Sequence, residues 1–438
     1  MSTHQASALL LGLAAIILGA GLLGWVARKL GQPAVIGEVI AGILMGPTLF
    51  GGAIAGFLLP TDIRPFLSAL ANVGVAVFMF LVGLELNRSM LRGTGRVAAT
   101  VSLTSILLPC TLGILLGTYL LRTHPSKDRL GFVLFMGVAM SITAFPVLAR
   151  ILIDRELNRL PLGGLALTCA AIDDVLAWSL LAVVVTVLGG DADQWRMLLA
   201  VPYLLLMLYP VRRLLGRLVS ARQRTGRLTT GQIAIVLAGL LVSGGVTEWI
   251  GLHFIFGAFL FGLVMPRGEK AELRTELHDR IGLVNNVLLL PVFFIVAGLR
   301  VDLSKVDAVD LAELGLILLV AIGGKFIGAF IAARLNGLGN RIAATLATLM
   351  NTRGLTELII LSVGLQLGVL DTGLYSLMVV MAVVTTAMAG PLLSILYPRR
   401  LVARDIAATE AAVHAAEPGL HPLWIGGRGP ISSASPRS

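Results

Sequence analysis

The sequence predicts an all-α membrane protein with about thirteen transmembrane helices, on three observations. Hydrophobic residues make up 57% of the 438 residues and charged residues 13%, whereas a soluble domain carries about 25% charged residues. Apolar stretches recur at a length of roughly 20 residues, which crosses a bilayer as a helix. Basic residues are concentrated in every second loop between these stretches. Such a chain has too little polar surface to face water on all sides.

The predicted helices follow one another along most of the chain. The first lacks a basic leading segment and a small-residue cleavage site, so we interpret it as a retained helix rather than a signal peptide. The helix at 253–266 is short, and its separation from the preceding one depends on a break at Trp249, Ile250 and Gly251. The thirteen segments are 6–27, 33–50, 66–86, 97–121, 130–153, 161–188, 197–219, 231–250, 253–266, 282–299, 314–334, 342–369 and 373–397.

The charge distribution predicts the orientation of the chain. Thirteen crossings put the termini on opposite sides of the bilayer. One set of loops carries 23 Lys and Arg residues and the alternate set carries 7. Because cytoplasmic loops carry the excess of basic residues, we expect the N-terminus outside and the C-terminus in the cytoplasm, in the inner or plasma membrane. Residues 398–438 lack apolar periodicity and are predicted to form a short, disordered cytoplasmic tail, too short for a nucleotide-binding regulatory domain.

The chain also contains an internal repeat. Residues 37–47, GEVIAGILMGP, resemble residues 257–266, GAFLFGLVMP, and the polar interruption at 141–146 has a counterpart at 351–357. In both cases the second copy lies seven segments after the first, an odd offset, so the halves must be inverted relative to each other. Chance similarity between glycine-rich membrane helices is the alternative explanation. Inverted repeats are typical of secondary transporters, whose sites lie where discontinuous helices meet.

Composition and motifs exclude several other functions. The net charge of +10 does not indicate nucleic-acid binding, because no basic arm with interleaved aromatic residues occurs. Cys110 and Cys169 lie in apolar stretches without metal-ligand spacing, so packing explains both. No HExxH, GxSxG or P-loop pattern occurs, and we therefore predict neither an enzyme nor a bound cofactor.

Charged residues inside the predicted helices indicate the functional site. Each ionised side chain at the centre of a membrane helix costs roughly 2.5–3.5 kcal/mol on insertion scales. Asp173 and Asp174 have about a dozen apolar or small residues on either side, and Lys325 is isolated near the middle of the eleventh segment. Pairing of Lys325 with one aspartate is the simplest way to keep both charged. A purely structural salt bridge is the alternative, but two acids against one base leave an acid for a transported cation or proton.

The polar interruptions predict further ligands. Pro146 removes a helical hydrogen bond and Gly354 weakens its helix, so backbone groups are freed at both places. Freed carbonyls and the hydroxyl of Thr143 are hard oxygen ligands suited to a small cation. A harmless kink is the alternative explanation for Pro146.

Other charged or polar residues receive weaker predictions. Arg353 and Glu357 are expected to pair at i, i+4 or to line the cavity wall, with a structural or tuning role favoured over direct transport. Glu38 and Glu85 lie near segment ends, where reaching the interface is cheap. His253 is interpreted as an interfacial histidine.

Five motifs in this order resemble the monovalent cation:proton antiporter-2 family, which includes bacterial sodium/proton antiporters and plant cation/proton exchangers. They are QPAVIGEVIAGILMGPTLFG at 32–51, FLVGLEL at 80–86, SITAFPVLARIL at 141–152, AAIDDVLAWSLL at 170–181 and NTRGLTELIIL at 351–361. The resemblance implies two crossing broken helices at 141–146 and 351–357. It also implies a homodimer in which each chain has a core domain and a dimerisation or panel domain. The expected core helices lie near 97–188 and 314–397, and the expected panel helices near 6–86 and 197–299 within a transmembrane domain of residues 1–397.

The resemblance also assigns roles to the charged residues. It implies that Asp174 is the main cation and proton carrier, that Asp173 forms a salt bridge with Lys325, and that exchange is electrogenic. We therefore predict antiport of Na⁺, Li⁺ or K⁺ against protons by alternating access, with Na⁺ the first candidate and K⁺ the second. The rival prediction is a passive cation channel or a membrane sensor on the same fold. A channel needs a continuous pore lined by charges or carbonyls, whereas this sequence shows one charged cluster at mid-depth.

Overall fold

The structure is a computed structural model that describes residues 2–85, 95–188, 199–217, 228–266, 272–304 and 306–416. Every regular element within these ranges is helical. A π-helical turn, Met207–Val211, extends α9, and another, Asn285–Leu289, joins α12 to α13. The helices are α1 (Thr3–Lys29), α2 (Ala34–Met45), α3 (Ala53–Leu58), α4 (Arg64–Glu85), α5 (Gly95–Leu120), α6 (Arg129–Ser141), α7 (Phe145–Asp154), α8 (Pro161–Leu188), α9 (Ala200–Leu206), α10 (Thr230–Ile250), α11 (Phe254–Val264), α12 (Glu272–Val284), α13 (Leu290–Gly298), α14 (Ala308–Leu335), α15 (Asn340–Met350), α16 (Leu355–Gln366), α17 (Thr372–Leu396) and α18 (Arg399–Ala416).

The predicted crossings are confirmed. Within the described ranges, eight helices are long and apolar enough to span a membrane, and the other five predicted segments correspond to shorter or interrupted helices. The break before the short α11 is also confirmed, because Gly251 ends α10 with a left-handed φ of 96°. Many of the basic loop residues that predict the orientation lie at 86–94, 218–227 and 267–271, outside the described residues.

Two sets of helices are distinguished by their packing. In the first set α4 packs against α11 and α13, α1 against α2, and α10 against α11. In the second set α5 packs against α6, α8 and α14, while α17 packs against α14, α15 and α16. Among the described residues, the two sets contact each other much less than their own members do. The packing of α2 against α17 is one example of the few contacts between them.

Small residues allow the close approach of α4 and α11. A Cβ at Gly83 would lie 2.2 Å from the Phe259 carbonyl oxygen, and one at Gly262 would lie 2.1 Å from that of Phe80. Backbones that approach this closely gain van der Waals contact, which replaces the hydrophobic effect as a force between helices in lipid.

The two polar interruptions form the centre of the second set. Residues 142–144 separate α6 from α7, and residues 351–354 separate α15 from α16. The two breaks cross, because the Ala144 backbone N–H donates a hydrogen bond to the Thr352 carbonyl at 3.0 Å. Pro146 lies in the first turn of α7, where its missing N–H costs nothing. The backbone groups expected to be free near Pro146 are therefore free because α6 ends and α7 begins there.

The prediction of a disordered tail was wrong for residues 399–416, which form α18. Helix-favouring alanines are frequent in this segment. Val402 and Ile406, one turn apart, are 4% and 9% exposed and belong to the same apolar cluster as Leu393, against which Tyr397 also packs. The Tyr397 hydroxyl also donates a hydrogen bond to Asp405. Residues 417–438 lie outside the described residues.

Candidate functional site

The site is centred on a buried ion pair between α8 and α14. The Lys325 ammonium lies 3.1 Å from the Asp173 Oδ2 atom, and both side chains are 0% exposed. This pairing is the one that the resemblance implied. Breaking such a pair by removing one partner leaves an uncompensated buried charge, at a cost of about 3–5 kcal/mol.

Two hydroxyls complete the surroundings of Asp173. Thr143, in the break between α6 and α7, lies 2.8 Å from Asp173 Oδ2, and Ser105 of α5 donates to the same oxygen at 3.1 Å. Lys325 also donates to the Thr143 hydroxyl. Three groups are therefore placed to donate hydrogen bonds to Asp173, and they come from α5, α14 and the first helix break.

Thr143 connects the carboxylate to the second broken helix. Its oxygen lies 3.0 Å from the Met350 carbonyl at the end of α15. The hydroxyl has a single proton, so it donates either to Asp173 or to Met350 and accepts from Lys325. A change in the protonation or pairing of Asp173 is thus coupled to the position of α15.

Ser105 was missed by the sequence prediction. A serine in a membrane helix usually bonds to its own backbone, and the Ser102 carbonyl, 3.0 Å from the Ser105 oxygen, is the alternative acceptor for its one proton. The available signal was the spacing of Ser102 and Ser105, which puts two buried hydroxyls on one face of an apolar helix. Ser102 donates to the Cys169 carbonyl at 2.9 Å, so this face packs against α8.

Asp174 lies beside this cluster in a different environment. It is 0% exposed, and neither carboxylate oxygen has a hydrogen-bond partner among the described residues. The Phe145 backbone N–H at the start of α7 lies close by without meeting hydrogen-bond geometry. The positive end of a helix dipole favours a negative charge. A buried carboxylate of this kind needs a proton or a cation to complete its charge balance.

Arg353 and Glu357 form a second buried pair, at 2.9 Å. The Arg353 guanidinium also donates to the Ala139 and Met140 carbonyls, at 2.8 and 2.6 Å. These carbonyls belong to the last turn of α6, where helix carbonyls lack helical partners and a positive charge is favourable. Of the two expectations for Arg353 and Glu357, the i, i+4 pair is the one found.

The remaining candidates are Glu38, His253, Cys169 and Glu85. Glu38 is half-buried on α2, and His253 precedes the first turn of α11. Cys169 is buried and directs its thiol toward the Ala98 carbonyl at 3.8 Å, as expected for a packing residue. The side chain of Glu85 lies outside the described residues.

Comparison with known proteins identifies the family. A family model described as "Sodium/hydrogen exchanger, transmembrane" matches residues 14–398. The chain belongs to this sodium/hydrogen exchanger family. The predicted resemblance is thereby confirmed, and the chain is a multi-pass membrane protein of a transporter family.

Individual relatives agree with this membership. The chain is 40% identical to the Na(+)/H(+) antiporter NhaS4 of Synechocystis sp. over 410 residues, which cover 91% of this chain and 99% of that protein. It is 35% identical to the cation/H(+) antiporter 15 of Arabidopsis thaliana, covering 84% of this chain but 45% of the plant protein. The chain therefore spans less than half the length of that relative.

A solved structure confirms the fold. The sodium proton antiporter MjNhaP1 from Methanocaldococcus jannaschii at pH 8 matches with a TM-score of 0.67 over 92% of this chain and 99% of that chain. The two sequences are 13% identical, so this likeness concerns the architecture alone.

Proposed function

We propose that this chain exchanges a monovalent cation for protons, with Na⁺ as the first candidate and Li⁺ and K⁺ as the others. The observation that carries the proposal is the buried cluster of two adjacent carboxylates and one ammonium at the crossing of two broken helices. Family membership and the antiport activities by which the relatives are named support it.

Charge balance at the site explains why cation transport is coupled to proton transport. Asp173, Asp174 and Lys325 together carry one net negative charge when all are ionised. A monovalent cation bound at Asp174 neutralises the site, and so does a proton on the same carboxylate. Both ions need the same oxygens and cannot hold them together. This competition supplies the differential affinity that coupled transport requires.

Two protons per cation make the cycle electrogenic. The first proton neutralises Asp174, and a second reaches Asp173 when its pair with Lys325 opens. The proton-loaded site then carries one more positive charge than the cation-loaded site. A membrane potential contributes about 2.3 kcal/mol per charge per 100 mV, so voltage as well as the pH gradient drives the cycle.

The two helix sets fit a division into a moving core and a panel. The core would comprise helices near 97–188 and 314–397, and the panel those near 6–86 and 197–299. Hydrogen bonds join the two sets in each half of α17. Gln32 donates to the Ala387 carbonyl at 3.0 Å, and the Tyr375 hydroxyl donates to the Ala297 carbonyl at 3.0 Å. Alternating access would open these two contacts in turn.

The membrane setting follows from the charge distribution of the loops. The N-terminus would lie outside and the C-terminus in the cytoplasm of a cell or inner membrane, because the set of loops with 23 basic residues belongs on the cytoplasmic side. The panel helices would form a homodimer interface.

The variant D174N tests the assignment in everted membrane vesicles. Addition of Na⁺ or K⁺ should dissipate an acid-interior pH gradient in wild-type vesicles and not in D174N vesicles. The variant D154N is the matched control, because Asp154 is 51% exposed and pairs with Arg150; it should retain normal exchange. Normal exchange by D174N would overturn the assignment.

A second assay separates exchange from a passive channel or a sensor. An antiporter accumulates labelled cation by counterflow against an unlabelled internal pool, and the rate saturates with cation concentration. A channel conducts without coupling to protons, and a sensor does neither. Cation flux in proteoliposomes without matching proton flux would therefore favour the rival.

A further inference from the structure

A second polar cluster, around His124, lies where α5 ends and where α14 and α17 begin. This residue follows α5 in the loop before α6, and it contacts acids from two distant segments. Its Nε2 atom lies 2.9 Å from the Glu313 carboxylate of α14, and its Nδ1 atom lies 2.6 Å from Asp371, which precedes α17. The His124 and Glu313 side chains are 11% and 4% exposed.

The cluster contains three potential metal ligands. One ligand atom each from His124, Asp310 and Glu313 lies within 4.8 Å of the other two. Zn²⁺ binds imidazole nitrogen and carboxylate oxygen at about 2.0–2.2 Å. Three nitrogen and oxygen ligands this close together are the donor set that such an ion binds.

The surroundings also resemble the outer shell of a metal site. A histidine ligand commonly donates its second ring N–H to a carboxylate, which fixes the ring and its tautomer. Asp371 is placed to accept from Nδ1 and so leaves Nε2 directed at Glu313. Glu313 is held in turn by the Thr123 hydroxyl, which donates to its other oxygen at 2.6 Å.

We propose that His124, Asp310 and Glu313 form a binding site for a divalent transition metal of the Zn²⁺ class, with Asp371 as the residue that orients the imidazole. Two carboxylates and a neutral imidazole balance the charge of the ion and leave a fourth coordination position for water. The imidazole ligand favours Zn²⁺, Ni²⁺ or Co²⁺ over Mg²⁺ and Ca²⁺. Under the proposed orientation the site lies at the outer surface.

Bound metal would join the α5–α6 loop to α14. From Glu313 to Lys325 this helix rises about 18 Å, so the metal site lies near the start of the helix, the candidate cation site lies near its middle, and the two share no residue.

Isothermal titration of the purified full chain in detergent with ZnCl₂ tests the proposal. Wild-type protein should show one saturable site that excess Mg²⁺ does not displace, and both H124A and E313Q should lose it. D371N should weaken binding about 10–100-fold, the usual effect of removing an orienting partner. H4Q removes an exposed histidine of α1 and should bind like wild type.

Binding that is unchanged in H124A and E313Q, or absent from the wild type, would overturn the proposal. Size-exclusion profiles identify variants that fail to fold. If H124A does not fold, metal binding by E313Q tests the proposal instead. The readout is metal binding rather than transport, so a failure here and a failure of the proposed exchange are separate results.

Discussion

Replacement of Arg353 by methionine should destabilise the protein by about 5 kcal/mol or more. The variant leaves Glu357 as an uncompensated buried charge, at a cost of about 3–5 kcal/mol. It also removes the donor to the Ala139 and Met140 carbonyls, and each buried unsatisfied group costs about 1–3 kcal/mol.

A double-mutant cycle tests this reasoning. E357M alone leaves the guanidinium buried without its acid, whereas R353M/E357M removes both charges. The double variant should therefore be more stable than the sum of the single effects predicts, with a coupling at or above the upper end of the range of about 0.5–3 kcal/mol for interacting residues. Equilibrium unfolding in mixed SDS and detergent micelles measures each variant.

The Arg150–Asp154 pair is the matched control. It has the same i, i+4 spacing at 3.2 Å, but its side chains are 58% and 51% exposed. Exposed pairs of this kind contribute about 0.3–0.5 kcal/mol, so the cycle of R150M and D154M should show almost no coupling. Additive effects at Arg353 and Glu357, or equal coupling in the two cycles, would refute the account of the buried pair.

Further predictions concern the site and its supports. S105A removes one of the three groups placed to donate to Asp173 and should raise the KM for the cation several-fold without abolishing exchange. S179A is its control, because the exposed hydroxyl of Ser179 bonds to its own helix at Val175, and it should leave the KM unchanged. G354A places a Cβ 2.5 Å from Val147 Cγ2 and should abolish exchange by displacing the helix crossing, while G323A, with open space around its Cβ, should transport normally. Burial lowers the pKa of His124, but the hydrogen bonds to Asp371 and Glu313 outweigh it and raise the pKa to about 9. The loss of stability in H124Q, measured as melting temperature with a chelator present, should therefore be full below pH 6.5 and vanish as the pH rises through 9. A difference between wild type and H124Q that grows with pH would contradict this linkage.

The membrane architecture was predictable because each part of it is local in sequence. About 20 apolar residues specify a crossing, so the segments could be placed from composition alone. The breaks at 141–146 and 351–357 were recognised because polar residues interrupt apolar runs there. Asp173, Asp174 and Lys325 were recognised because ionised groups are costly in lipid.

The missed features depend on contacts between distant segments. Arg353 binds carbonyls of α6 more than 200 residues earlier. Every residue has a backbone carbonyl, so the sequence does not show which carbonyls act as acceptors. His124, Glu313 and Asp371 each lie near a helix end, where a charged residue is unremarkable, and only the fold brings them together. The helix α18 was missed because its apolar contacts, Val402 and Ile406, are too few to indicate a packed element.

Proton release from the purified protein tests the central claim most directly. Addition of Na⁺ or K⁺ to wild-type protein in weakly buffered detergent solution should release protons, and the release should saturate with cation concentration. The variant D174N should release none, while D154N should match the wild type. Saturable cation binding without proton release, or equal release by D174N, would contradict the claim that the two ions compete for one buried carboxylate.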